Sequence, residues 1–168
     1  TTGSAPNYAW LEARFGEMEV TIKRNAAGSG SGTDVPEEPE CADIRLKEWL
    51  HSKRALSGAA DFSGWYLKDW HLAKRQPDSR FYSVPPPFED DWLNSFSLAT
   101  SEDDYRFVYW GGGDTWTPRH EDVLRSYSWG TNIVGRKLWR IWTPRADAAM
   151  RAAGQRAGLH AGDPPHPN

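Results

Sequence analysis

The chain has 168 residues, enough for one domain with a hydrophobic core, and its 13% of aromatic residues suit a β-rich or mixed globular fold. A net charge of -3 at pH 7 does not indicate a general polyanion binder, so we expect no direct nucleic-acid binding. The single cysteine, Cys41, excludes an internal disulfide framework and cysteine-based zinc sites, and no apolar run approaches the length of a membrane span. We therefore expect a cytoplasmic or nuclear location and no membrane partner.

The first 40 residues predict a helix and a strand followed by an insert. Apolar residues recur at helical spacing up to Phe15, and Gly16 ends the helix. The alternation in MEVTIK predicts a strand that ends by residue 25. Residues 26–40 are dominated by Gly, Ser, Pro and acidic residues, so we expect a flexible surface insert there.

Residues 41–104 predict a supporting region of helices and strands. An apolar stripe over 42–56 indicates an amphipathic helix, with Asp43 as its cap or first-turn acid. WYLKDWHL, over 65–72, indicates a strand in which alternation places Leu67 and Trp70 on opposite faces. A short helix is expected around 92–96, after a proline-rich connection. His51 is interpreted as a surface or satisfied histidine, and His71, beside Lys74 and Arg75, is expected to be exposed.

The region 105–144 predicts the strongest strands of the chain. YRFVYW, over 105–110, is a strand by composition and alternation, and GGGD ends it. Residues 132–142 predict a second strand, with Gly135 as a candidate bulge. Residues 145–168 predict an alanine-rich, solvated helix that ends near Gly158, followed by a tail.

The same region contains a spacing that is typical of a metal site. On an extended backbone, side chains two residues apart point to the same side. His120 and Asp122 would then converge on one point, while Glu121 faces away. They would supply two of the three ligands in the 2-His-1-carboxylate triad of non-haem Fe(II) oxygenases. A lone H-x-D tripeptide is a weak signal, because it often arises by chance.

In the predicted strand, Lys137 would point to the same face as three large apolar residues, Ile133, Trp139 and Ile141. Burying an unpaired ammonium is costly, so a lysine on an apolar face needs an explanation. One alternative is that its stem covers apolar surface while the ammonium reaches solvent. The other is that the ammonium pairs with the carboxylate of a buried ligand. Sequence alone leaves both alternatives open.

Several separated motifs resemble one family. TWTPRHED followed by SYSWGTNIVGRKLWRIWTP resembles the start of the catalytic half of a Jumonji C (JmjC) oxygenase. WYLKDWHL, VPPPF…DWLN and DDYRFVYWG are similar to the subgroup of JmjC domain-containing protein 4. The resemblance covers roughly residues 10–144. It implies an α+β, mainly β fold: an incomplete double-stranded β-helix (cupin barrel) with flanking N-terminal helices, in one partial domain whose barrel starts at 105–144.

The resemblance also implies the cofactor and the site. Members of this family depend on Fe(II), 2-oxoglutarate and O₂. His120 and Asp122 match the iron ligands that come first in the family's sequence. The remaining implied residues hold the distal carboxylate of 2-oxoglutarate or line the pocket near the iron: Thr117, Lys137 and Tyr66 for the carboxylate, and Asn132 for the pocket.

The pattern departs from the family at the third iron ligand. The family's distal histidine lies on a strand after the turn that matches 142–144. His160 and His166 lie downstream of that turn but outside any strand-like pattern, so we expect neither to be the ligand. The chain is therefore expected to be a fragment of a longer product, or a truncated member, that is inactive alone.

The subgroup implies a protein hydroxylase, with lysyl hydroxylation of a translation release factor as its expected reaction. The alternative is a non-catalytic binding module built on the same partial barrel. A carbohydrate-binding module, suggested by ten tryptophans, is weakened because Trp49 and Trp139 fall on predicted core faces.

Overall fold

A computed structural model describes residues 6–24, 40–78, 81–101, 103–113, 115–117 and 120–157. The chain divides into two compact units. The first, here called the sheet unit, comprises Tyr8–Asn25 and Glu40–Thr115; the second, here called the C-terminal unit, comprises Thr1–Asn7, Ala26–Pro39 and Trp116–Asn168. The predicted insert, apart from Glu40, lies outside the described residues, as do His160 and His166.

The sheet unit is built around a four-stranded antiparallel sheet of order β2-β1-β3-β4. Helices precede, connect and follow its strands, and a 3₁₀ turn lies at Pro86–Phe88. The described elements are α1 (Tyr8–Phe15), β1 (Glu19–Arg24), β2 (Glu40–Arg45), α2 (Leu46–Lys53), β3 (Tyr66–Trp70), α3 (Leu72–Arg75), α4 (Trp92–Thr100) and β4 (Val108–Gly111).

The predicted helix over 42–56 is wrong in its first part. Residues 40–45 form β2, which pairs with β1 over six residues, from Glu19 opposite Arg45 to Arg24 opposite Glu40. Asp43 is therefore not a helix cap; it accepts a hydrogen bond of 2.6 Å from the Thr21 hydroxyl on β1. Pairing with β1 supplies the backbone hydrogen bonds that a helix would have made, and it overrides the local helical pattern. The helix prediction is confirmed over Leu46–Lys53.

The core lies between this sheet and helices α1 and α2. Its buried members are apolar side chains from the two helices, from the inward faces of β1 and β3, and from the start of α3. Fully burying a side chain of this size contributes about 1.5–3 kcal/mol of hydrophobic free energy. The buried set is Phe15, Val20, Ile22, Leu46, Trp49, Leu50, Leu67, Trp70 and Leu72.

Strand β3 does not alternate as its sequence predicts, because Leu67 and Trp70 are both buried in the core. A register shift lies between them in the pairing of β3 with β4. Asp69 has a φ of 57°, a left-handed conformation that is uncommon for a residue other than glycine. This irregularity turns Trp70 to the same side as Leu67, so the predicted opposite placement is wrong.

Helix α4, which confirms the short helix expected around 92–96, follows an acidic segment at residues 89–91, and its cap is visible. The Asp91 carboxylate accepts a hydrogen bond of 2.9 Å from the backbone N–H of Asn94. Asn94 is buried, and its Oδ1 accepts a hydrogen bond of 2.7 Å from the backbone N–H of Tyr105. This contact ties the helix to the segment that leads into β4. The predicted strand is confirmed only from Val108 onward.

A buried carboxylate anchors the connection between α4 and β4. Asp104 is 1% exposed, and its Oδ1 lies 2.5 Å from Nδ1 of His71. Its Oδ2 accepts a hydrogen bond of 2.8 Å from Nε of Arg106. Both carboxylate oxygens thus have partners, as buried charges require. His71 is half-buried in this contact, so the prediction that it is exposed is wrong: its bond to the buried Asp104 draws the ring inward.

The C-terminal unit contains little regular structure among its described residues. A 3₁₀ turn covers Val123–Arg125, and α5 covers Pro144–Ala157, which confirms the predicted alanine-rich helix. The predicted strand over 132–142 is wrong, because this segment forms no strand and has a bend at 134–135. An extended segment needs a neighbour for its backbone N–H and C=O groups, and no described strand pairs with it.

The observed architecture is a small antiparallel sheet with several helices, which is compatible with part of a β-rich JmjC or cupin fold. No helix in the described ranges combines the length and apolar character needed to cross a membrane.

We predict that Asp104→Ala destabilises the sheet unit by about 1–3 kcal/mol, the usual cost of leaving buried hydrogen-bonding groups without a partner. Urea unfolding of the chain, followed by tryptophan fluorescence, measures this change. Asp103→Ala is the matched control, because the neighbouring Asp103 side chain is 58% exposed and should matter little. Equal effects of the two substitutions would contradict the role of Asp104.

Candidate metal site

The structure brings together the two residues of the H-x-D motif. Nε2 of His120 lies 3.5 Å from Oδ1 of Asp122. Both side chains are accessible, with 57% of the His120 side chain and 39% of the Asp122 side chain exposed. The predicted convergence of the two donor atoms is therefore present in the structure. The role of these residues as metal ligands stays a prediction.

The intervening residue faces a different partner, as the spacing predicts. Glu121 Oε2 accepts a hydrogen bond of 3.2 Å from Nε of Arg125, four residues further along the chain. The second oxygen of Asp122, Oδ2, accepts a hydrogen bond of 2.7 Å from the hydroxyl of Ser128. Oδ1 of Asp122 is therefore the carboxylate oxygen that lies beside His120.

The spacing of the two donors fits an octahedral divalent ion. For such an ion with bonds of about 2.1 Å, neighbouring ligand atoms lie about 3 Å apart. The 3.5 Å between His120 Nε2 and Asp122 Oδ1 is close to that separation. An imidazole nitrogen and a carboxylate oxygen are also two of the three donors in the facial triad of non-haem Fe(II) enzymes. These two residues thus fit the metal that the family implies.

Lys137 is an exposed residue of the segment that was predicted to be a strand. Its ammonium lies 4.4 Å from the centre of the Trp139 ring, a distance typical of a cation–π contact. Partial burial lowers the pKa of the Lys137 ammonium below its ordinary value. The contact with Trp139 shows that Lys137 covers aromatic surface. Its predicted contact with 2-oxoglutarate stays a prediction.

Asn132 and Gly135 form a turn instead of a strand with a bulge. Nδ2 of Asn132 donates a hydrogen bond of 2.8 Å to the carbonyl of Gly135. Gly135 has a φ of 78°, which glycine adopts at little steric cost. Asn132 is exposed in this turn, and so is Thr117 in the segment before the H-x-D motif. Their predicted places around a 2-oxoglutarate pocket stay predictions.

Tyr66 belongs to the sheet unit, where it lies on β3 opposite Gly111 of β4. Its ring stacks on Tyr109 with a centroid distance of 6.0 Å, and a Cβ on Gly111 would come within 2.6 Å of Tyr66 Cδ2. Burial, and then the charge of Asp69, raises the pKa of the Tyr66 phenol. Whether the hydroxyl reaches a cosubstrate carboxylate stays a prediction.

A second group of candidate metal donors was not predicted from the sequence. Among the described residues, His71, Asp103 and Asp104 place donor atoms within 4.8 Å of one another. Two cations also contact this group: Arg106 binds Asp104, and the ammonium of Lys74 lies 3.5 Å from Asp103. These cations already compensate the carboxylates, so we interpret the group as an ion-pair network. The consecutive acids at 103–104 are its signal in the sequence.

Comparison with known proteins finds no matching family model and no matching solved structure. It does find curated relatives. The chain is 39% identical over 153 residues to the 2-oxoglutarate and iron-dependent oxygenase JMJD4 of Gallus gallus. This alignment covers 86% of the chain and 33% of the relative. The chain is 54% identical over 156 residues to the JMJD4 homolog of Drosophila melanogaster, covering 85% of the chain and 36% of the relative. The chain belongs to the JmjC oxygenase family and is of the JMJD4 type.

Another JmjC-type relative has a different name. The chain is 38% identical over 132 residues to the arginine-specific demethylase JMJ20 of Arabidopsis thaliana. This alignment covers 62% of the chain and 29% of the relative. The chain spans about a third of the length of the JMJD4 relatives that it matches, 33% and 36%.

We predict that His120→Ala and Asp122→Ala each weaken divalent metal binding by the full-length gene product by at least about 100-fold. Mutation of a residue that only supports a metal ligand typically lowers metal affinity by about 10–100-fold. Loss of a ligand itself should lower the affinity by at least the upper end of that range. A Mn(II) titration followed by electron paramagnetic resonance measures the affinity. Glu121→Ala is the matched control, because Glu121 lies between His120 and Asp122 in the sequence but contacts Arg125. Wild-type affinity in His120→Ala or Asp122→Ala would exclude this metal site.

Proposed function

We propose that this chain contributes part of the active site of an Fe(II)- and 2-oxoglutarate-dependent oxygenase that hydroxylates protein. The observation that carries the proposal is the 3.5 Å approach of His120 Nε2 to Asp122 Oδ1, in a chain of the JMJD4 type. An imidazole nitrogen and a carboxylate oxygen at this separation can bind one metal ion as two of the three ligands of the facial triad.

When bound, Fe(II) and 2-oxoglutarate supply the activation of O₂ that converts a substrate C–H bond to C–OH, with 2-oxoglutarate oxidised to succinate and CO₂. In this proposal, the protein's own residues bind and orient the reactants. His120 and Asp122 hold the metal through Nε2 and Oδ1. An ammonium with hydroxyl donors is a suitable partner for the distal carboxylate of the cosubstrate, and Lys137, Thr117 and Tyr66 are proposed for that role.

We propose a lysyl side chain of a translation release factor as the substrate, with the protein in the cytoplasm. This part of the proposal rests on the resemblance to the JmjC domain-containing protein 4 subgroup. The Arabidopsis relative favours a second candidate, the removal of a methyl group from arginine. Both reactions hydroxylate a C–H bond, but hydroxylation of an N-methyl group releases formaldehyde, whereas a hydroxylated lysine keeps its oxygen.

The residues 1–168 alone are proposed to be inactive. His120 and Asp122 supply two protein ligands, whereas the facial triad has three. A non-catalytic binding module on the same partial barrel is the alternative reading. The two proposals differ in whether the full-length gene product consumes 2-oxoglutarate.

The direct test is turnover by the full-length gene product with Fe(II), 2-oxoglutarate and O₂. Release of CO₂ from carboxyl-labelled 2-oxoglutarate measures the cosubstrate reaction, and mass spectrometry of release-factor and methylarginine peptides identifies the product. Lysyl hydroxylation, abolished by His120→Ala, is the expected result. Demethylation with release of formaldehyde would favour the second candidate. Absence of 2-oxoglutarate consumption would favour the binding module.

We predict that Lys137→Ala weakens 2-oxoglutarate binding by the full-length gene product on the order of 10²-fold or more. The reason is that leaving a buried carboxylate without its partner costs roughly 3–5 kcal/mol. Calorimetric titration of 2-oxoglutarate into the Mn(II)-loaded protein measures the affinity. Arg136→Ala is the control, since it removes an adjacent exposed cation. Unchanged affinity in Lys137→Ala would remove Lys137 from the site.

A further inference from the structure

The two oxygens of the Asp122 carboxylate have different neighbours. Oδ1 lies 3.5 Å from Nε2 of His120, and Oδ2 accepts a hydrogen bond of 2.7 Å from the Ser128 hydroxyl. The terminal torsion of an aspartate is broad, so an exposed carboxylate can turn unless a partner holds it. A hydrogen bond to one oxygen restricts which oxygen faces His120.

We propose that Ser128 is a positioning residue for the metal site. It acts through Asp122, by holding Oδ2 so that Oδ1 faces the metal position beside His120. This inference rests on the proposed function, because it assumes that His120 and Asp122 bind the metal. Groups that hydrogen-bond to a ligating carboxylate or imidazole fix its orientation, and their loss usually costs 10–100-fold in metal affinity.

The backbone conformation between Asp122 and Ser128 explains why these two side chains are in contact. A 3₁₀ turn over Val123–Arg125 follows directly after Asp122. Leu124 and Arg125 have φ values of 53° and 54°, in the left-handed region that non-glycine residues seldom adopt. These conformations reverse the chain, and they place the Ser128 hydroxyl against a carboxylate six residues earlier.

A neighbouring serine, Ser126, provides a control that distinguishes positioning of the Asp122 carboxylate from stabilisation of the loop. The hydroxyl of Ser126 donates a hydrogen bond of 2.8 Å to the carbonyl of Val123, so it stabilises the turn itself. Ser128 instead donates to the side chain of the proposed ligand. Ser126→Ala therefore removes a hydroxyl from the same loop without removing the contact with Asp122. Because Ser128 is exposed, the additional methyl group in Ser128→Thr has space while the hydroxyl is kept.

The test compares Mn(II) affinity across the full-length wild type and the Ser128→Ala, Ser128→Thr, Ser126→Ala and His120→Ala variants. Paramagnetic resonance of free Mn(II) gives the affinity without any need for turnover. We expect Ser128→Ala to bind Mn(II) about 10–100-fold more weakly than wild type. Ser128→Thr should restore the affinity to within a few-fold of wild type, and Ser126→Ala should retain it.

The outcomes separate this inference from the proposed function. If His120→Ala loses Mn(II) but Ser128→Ala binds as wild type does, the role of Ser128 is wrong and the metal site stands. Equal losses in Ser128→Ala and Ser126→Ala, or no recovery in Ser128→Thr, would assign Ser128 to loop structure and overturn the inference. If His120→Ala binds Mn(II) as wild type does, the metal site fails and the role of Ser128 fails with it.

Discussion

The backbone pairing of β1 is the constraint on which the described sheet depends. β1 pairs with β2 on one side and with β3 on the other, and its residue Ile22 is fully buried opposite Leu67. Those two pairings determine which faces of β2 and β3 turn toward the core. The segment 132–142 has an equally strand-like composition, but no described strand pairs with it, and it turns at Gly135 instead. A strand needs a partner for its backbone groups more than it needs a favourable composition.

The same distinction explains which elements could be predicted from the sequence. α1, α4 and α5 have local start or stop signals, such as Gly16 after α1 and Asp91 before α4, and the structure has all three. The strand over 40–45 was missed because its apolar spacing also suits a helix, and only pairing with β1 decides between them. The irregularity at Asp69 was missed because a left-handed backbone is uncommon for a residue other than glycine.

The candidate site was predictable to the extent that it is local. A two-residue spacing brings His120 and Asp122 together, and the structure places their donor atoms 3.5 Å apart. The contact between Ser128 and Asp122 could not be predicted, because it depends on left-handed conformations at residues that carry no turn signal. For Lys137, the prediction assumed a strand that the structure does not form, and the contact of its ammonium with the Trp139 ring became visible only in the structure.

The central claim is that His120 and Asp122 bind a metal that also binds 2-oxoglutarate. The most direct measurement is the visible charge-transfer absorption of an Fe(II)-bound 2-oxo acid, recorded without O₂ as 2-oxoglutarate is added to the Fe(II)-loaded full-length protein. The account predicts a saturable band in the wild type that is retained in Glu121→Ala and lost in His120→Ala and Asp122→Ala. A band of equal intensity and affinity in the His120→Ala protein would contradict it.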